Sequence, residues 1–203
     1  MRKNRFLPVI LILLLISGCC PLVSQSPLSD PSKAYFDERL SGTWKLQGEN
    51  KETVYLHIGK MENNHARIVS IEHKSSGRLD LMEFVMFPTK IAGHDYMNVS
   101  FVKPYNDIEE NKPAYYIARY DFRDDNSFSL SFLDKDMISR AIRTGQLKGE
   151  TEMRSIPLGK GKKTEIECVE MTESSHKLVE FLKKKDPEKI FSQSELLVFR
   201  KKN

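Results

Sequence analysis

The chain has 203 residues and a formal charge of +4, but Arg2, Lys3 and Arg5 crowd its extreme N-terminus and no acid precedes Asp30. Beyond those three cations 29 bases face 28 acids, a balance of +1, and the electrostatic case for nucleic-acid binding goes with them. A composition of 39% hydrophobic and 30% charged residues is that of a globular chain, neither disordered nor polytopic.

Met1 to Cys19 reads as a leader. Cations come first, then an apolar run from Phe6 to Ile16, then Ser17 and Gly18 before Cys19. The run is shorter than the roughly 20 residues a bilayer span needs, and its flanks suit a secretory signal. Leu15-Ile16-Ser17-Gly18-Cys19 resembles the lipobox of bacterial lipoproteins. That resemblance implies cleavage before Cys19, a diacylglyceryl group on its sulfur and an acyl group on its new amino group. Cys20 at the second mature position implies sorting to the outer membrane, facing the periplasm.

Cys20 to Lys33 is rich in Pro and Ser and reads as an extended tether, about 45 Å long when fully stretched. The expected organisation is therefore a signal at 1–18, a lipidated cysteine and tether at 19–33, and one folded domain at 34–203.

From Ser41 onward, short β-branched and aromatic runs alternate with turn residues. Strands are expected at Gly42–Gln47, around Val54–Ile58, and at Ala66–Glu72, Leu79–Phe87 and His94–Val102. Others follow at Tyr115–Phe122, Phe128–Leu133, Thr164–Met171 and Glu195–Arg200. Met97, Val99 and Phe101 oppose Tyr96, Asn98 and Ser100, while Phe128, Leu130 and Phe132 oppose serines, so each strand has one buried face. Leu79–Phe87 is apolar on both faces, which predicts a cover over its outside.

Two helices are available as covers. Asp134 is a good N-cap for Lys135–Thr144, with Gly145 as its stop. The second begins near Thr172 or Ser174, runs to about Lys184, ends at Pro187, and leaves Ile190 and Phe191 to return onto the body.

Gly42-Thr43-Trp44 resembles the G-x-W entry of lipocalins and related calycin barrels. The resemblance implies an antiparallel lipocalin-like barrel; with the strands and helices above, the expected fold is mainly β, about eight or nine strands with two covering α-helices, which depart from the family's strand order. It also implies that Trp44 plugs one end and stacks on a late cation, for which Arg200 is the expected residue. Met97, Phe101, Phe128 and Phe132 are the expected pocket or plug residues. A small apolar ligand is then the expected partner, with a filled barrel acting as an envelope interaction protein as the alternative.

The sequence carries no signature of catalysis. Neither a nucleophile elbow nor a zinc-protease helix motif occurs, and no enzyme activity, cofactor or metal is expected. His57 and His65 share a hairpin, but no Cys or carboxylate completes a ligand set. Gly159 to Thr164 lacks phosphate-loop spacing and reads as a basic hairpin tip that can meet anionic headgroups. Asp107, Glu109 and Glu110 form a solvated acidic loop. Cys20 and Cys168 can pair in an oxidising envelope, although a tether cysteine is a poor partner and a buried free thiol at Cys168 is the expectation.

Overall fold

The computed structural model describes residues 22–47, 52–102, 114–159, 162–192 and 196–202. Leader, Cys19, Cys20 and the acidic loop lie outside the described residues.

Eight strands close into an antiparallel barrel. In chain order they are β2 (Gly42–Gln47), β3 (Thr53–Lys60), β4 (Ala66–His73), β5 (Leu79–Ile91), β6 (His94–Phe101), β7 (Tyr116–Asp124), β8 (Ser127–Phe132) and β11 (Leu197–Lys201). β11 closes the ring by pairing with β8 on one side and β2 on the other. The expected class, a mainly β barrel with two covering helices, is what forms. A two-residue period sorts each strand, and the inward positions build a core from Trp44, Ile58, Met86, Met97, Tyr120, Phe128 and their neighbours.

Beside the barrel lies a three-stranded sheet, in the order β1 (Leu22–Ser24), β10 (Lys162–Met171), β9 (Gly149–Gly159). α1 (Lys135–Arg143) starts at Asp134, whose side chain accepts from the Met137 amide at 2.9 Å. It stops at Gly145, which takes the left-handed conformation at φ 70°. α2 (Ser175–Lys183) buries Leu178 and Leu182, and α3 (Pro187–Ile190) buries Ile190. These elements make a second core with Ile91, Tyr96 and Ile117 from the outside of the barrel.

Two expectations change here. The cover reaches only the lower part of β5: Ile91 is buried, but Leu79 and Leu81 remain 59% and 57% exposed. β5 is longer than its apolar pattern suggested, and its first residues run beyond the end of β6, where Phe84 opposes Phe101. And Leu22–Lys33 is not a spacer. Ser24 exchanges two backbone hydrogen bonds with Tyr115, at 2.9 and 2.8 Å. The Leu28 amide donates to Asn98 Oδ1 at 2.6 Å, and the Leu28 side chain is buried. Pro31 O lies 3.1 Å from His65 Nε2. Pro and Ser composition concealed this strap because its bonds run to distant strands rather than along its own length.

The strap also bears on Cys168, which is disulfide-bonded rather than a free thiol. Leu22 pairs in parallel with Val169, so the N-terminal segment enters beside Cys168 instead of ranging freely. The chain's other cysteines are Cys19 and Cys20.

Candidate functional site

The two ends of the barrel differ. At the lower end sit the turns after β3, β5 and β7 and the start of β2. A 3-10 turn, Glu38–Leu40, lies across this end, capped by Asp37, which accepts from the Arg39 amide. Leu40 is fully buried and its carbonyl accepts from Trp44 Nε1 at 2.7 Å. Trp44 meets Phe128 edge-on at 4.8 Å, and Phe128 stacks on Phe199 at 5.1 Å. Lys201 Nζ stands 5.3 Å from the Trp44 ring. Trp44 is thus fully buried beneath this turn, and the cation over its ring is Lys201 and not Arg200. The two-residue period decides this: Lys201 is paired with Trp44 and shares its inward face, while Arg200 pairs with Lys45 and is exposed.

Asp37 locks the lower end. Tyr120 donates to Asp37 Oδ2 at 3.0 Å, and Arg39 bridges both carboxylate oxygens at 2.9 and 2.6 Å. Burial opposes ionisation of Asp37, but hydrogen bonds from the Arg39 side chain, the Tyr120 hydroxyl and the Arg39 amide outweigh it and hold the carboxyl below the usual range. Burial, then the Asp37 charge, pushes the Tyr120 hydroxyl far above its ordinary value.

Toward the upper end the inward face is less sealed. Leu56, Met82, Phe84, Val99 and Phe132 pack on the core yet stay partly exposed. Phe101 is also partly exposed, 4.6 Å from Phe84 between ring centres, with Tyr116 edge-on at 5.4 Å. Burial pushes the Tyr116 hydroxyl up to about 12. Of the expected pocket residues, Phe101 and Phe132 therefore border this region, whereas Met97 and Phe128 fill the core below it.

Set into the same wall is a polar group the sequence reading missed. β4 turns Ser70 and Glu72 inward in phase with Ala66 and Ile68, and all four are buried. Opposite them on β5 stand Met82 and Asp80. Glu72 exposes no surface, and Lys74 Nζ lies 2.8 Å from its Oε2 and 3.4 Å from Asp80 Oδ2. Glu72 and Lys74 thus form a buried ion pair, and Ser70 Oγ beside them makes no hydrogen bond. Arg78 completes the group at 2.8 Å from Asp80, whose carboxyl is held below its usual value mainly by that hydrogen bond. A glutamate in phase with Ile68 was the available signal.

The histidines do not assemble. His57 pairs with Val69 and approaches Thr43 Oγ1 at 2.9 Å, while His65 stacks on Phe87. Among the described residues, no three of His, Cys, Asp or Glu are grouped to hold a metal. In a cleft beside α1, lined by Asp136, Ser139, Arg140, Arg143 and Glu167, the Glu167 carboxylate is already engaged, since Ser139 and Arg143 both donate to it. No family model, curated protein or solved structure matches the chain.

Proposed function

We propose that this is a lipid-anchored lipoprotein of the bacterial envelope, non-enzymatic, whose barrel holds a small apolar ligand in its upper half. The carrying observation is the partly exposed, inward-facing set Leu56, Met82, Phe84, Val99, Phe101 and Phe132 above a sealed lower end. Apolar surface left accessible inside a barrel is stabilised by an apolar occupant at roughly 25 cal/mol per Å² covered. The Leu15–Cys19 run supports the anchor, and Cys20 supports the outer membrane.

Native mass spectrometry of the protein from its own host tests the ligand, and peptide mass spectrometry of the mature N-terminus tests the anchor. The expected results are a co-purified small molecule and a triacylated Cys19. Repeated recovery of the empty protein sinks the first, and an unmodified Cys19 sinks the second. One observation favours a second reading, an interaction protein with a filled barrel: Leu79 and Leu81 form an exposed apolar edge on the outer wall. Cross-linking in cells that captures a partner through Leu81, with no ligand found, selects it.

A further inference from the structure

The β9–β10 hairpin segregates its charge along its length. Residues 153–164 contain Arg154, Lys160, Lys162 and Lys163 and no acid, whereas the parts of both strands nearer the body carry Glu150, Glu152, Glu165, Glu167 and Glu170 and no base. The turn lies at the basic end, where Gly159 pairs with Lys162. α1 grips the hairpin at Glu167, whose carbonyl accepts from Lys135 Nζ at 3.1 Å and whose carboxylate accepts from Ser139 and Arg143. Nearer the turn, Met153, Arg154, Ser155, Lys163 and Glu165 are all exposed. Two of the acids are offset by arginines, Glu167 by Arg143 and Glu152 by Arg154.

The N-terminus reaches the body along this same hairpin. β1 runs parallel to β10 with Leu22 opposite Val169, so the chain enters β1 from the side on which the hairpin turn lies. Cys168, one residue before Val169 on that side, is disulfide-bonded, and the chain's other cysteines are Cys19 and Cys20. A diacylglyceryl thioether consumes the Cys19 sulfur, which leaves Cys20 for Cys168. Reach permits the bond, because the two residues from Leu22 back to Cys20 span up to about 7 Å. To form it, the two thiols give up two protons and two electrons, and a disulfide of the oxidising envelope takes them up and leaves as a dithiol.

We propose that the hairpin is the surface by which the mature protein sits on its membrane: Cys20 bonds to Cys168, holding the acylated Cys19 against the hairpin flank, and the basic turn meets anionic phospholipid headgroups. The proposal rests on the lipid-anchor reading above. Attraction between lysines and an anionic surface fades within a Debye length, about 8 Å at physiological ionic strength, so an anchor on a long free tether would rarely bring the two together. The clamp removes that freedom. From Cys168 to Lys163 the strand covers only about 17 Å, and the acyl chains leave the body from beside Cys168. A lipid anchor and a basic patch so close together act as one two-part membrane signal.

The test uses the mature chain carrying Leu158→Trp, next to the turn residue Gly159, in nanodiscs of lipids brominated high on the acyl chain. One set is phosphatidylcholine alone and the other is phosphatidylcholine mixed with phosphatidylglycerol. Trp44 is the chain's own tryptophan and is fully buried, so the unsubstituted chain is the blank. The expected result is quenching of the hairpin tryptophan at least twofold stronger in the anionic discs, lost at high salt and lost when Lys162→Glu and Lys163→Glu are added. Non-reducing peptide mass spectrometry should recover Cys20 joined to Cys168 and an acylated Cys19. Equal quenching in both bilayers, quenching indifferent to salt and to the charge reversals, or a Cys20 not joined to Cys168 overturns the docking proposal and leaves a lipoprotein. An unmodified Cys19 overturns the anchor reading and the proposal with it.

Discussion

Tyr120→Phe is the cleanest probe of the sealed lower end. The substitution keeps the ring, which is fully buried, and deletes one hydroxyl that donates to Asp37 Oδ2 at 3.0 Å. Asp37 itself is 8% exposed, so water cannot readily replace the lost donor. A hydrogen bond to a charged group contributes about 1.5–3 kcal/mol, and Arg39 still holds both oxygens of Asp37, which places the loss near the lower figure, about 1.5–2 kcal/mol. For a chain of this size that is a fall in Tm of about 3–8 °C. The sign of its pH dependence follows from Asp37, whose carboxyl is held below its ordinary value in the folded state. Such a group contributes stability that is fully present above the unfolded value near 4, and that is lost as pH falls through the lower folded value. The difference between wild type and Tyr120→Phe should therefore be constant from pH 7 to 5 and narrow below pH 4. Calorimetric Tm values across that range, with Asp37→Asn and the double variant, complete the cycle. The two changes should be non-additive by about 1 kcal/mol. Strict additivity, or a Tm equal to wild type at pH 7, would refute the lock.

Three further outcomes are expected. Lys201→Ala should cost about 0.5–1 kcal/mol and shift Trp44 fluorescence, while Arg200→Ala should change stability by less than about 0.5 kcal/mol and leave the spectrum alone, both read by thermal denaturation. Asn98→Ala removes the acceptor of the Leu28 amide and the donor to Phe87 O and Thr89 Oγ1, so a loss of about 2–4 kcal/mol should appear in urea denaturation, with faster amide exchange at Leu28. Ala92 takes φ 50° in the two-residue turn with Gly93, a conformation that suits Asn, so Ala92→Asn should raise stability by about 0.5–1 kcal/mol, and a lower Tm would show the turn to be packed rather than strained.

The barrel was legible because its strands carry their own instructions. Met97, Val99 and Phe101, or Phe128, Leu130 and Phe132, state an inward face whatever lies around them, and Asp134 and Gly145 bracket α1 locally. What escaped depends on partners far along the chain. β9 reads as Gly149-Glu150-Thr151-Glu152-Met153, with weak strand propensity, and it is a strand only because β10 pairs with it from Gly149↔Met171 to Gly159↔Lys162. Lys201 rather than Arg200 meets Trp44 because of the last strand's register, which its own sequence does not fix; one residue of slip moves a side chain to the other face. Glu72 was overlooked because a lone charge on a strand normally faces water, and only the closed ring turns that position inside.

The strap has a kinetic consequence. Leu22 is synthesised long before its partner Val169, with the first seven barrel strands between them. The ring is closed in the same way, by β2 against β11. Neither seam can form before its later partner is made, so the ring stays open until β11 has been synthesised. In that interval the edges of β2 and β8 lack their β11 partner, and a chain truncated before Leu197 leaves them so permanently. Loss of five C-terminal strand residues should thus be as damaging as loss of a core tryptophan, and its product should aggregate through those edges rather than persist as a smaller domain.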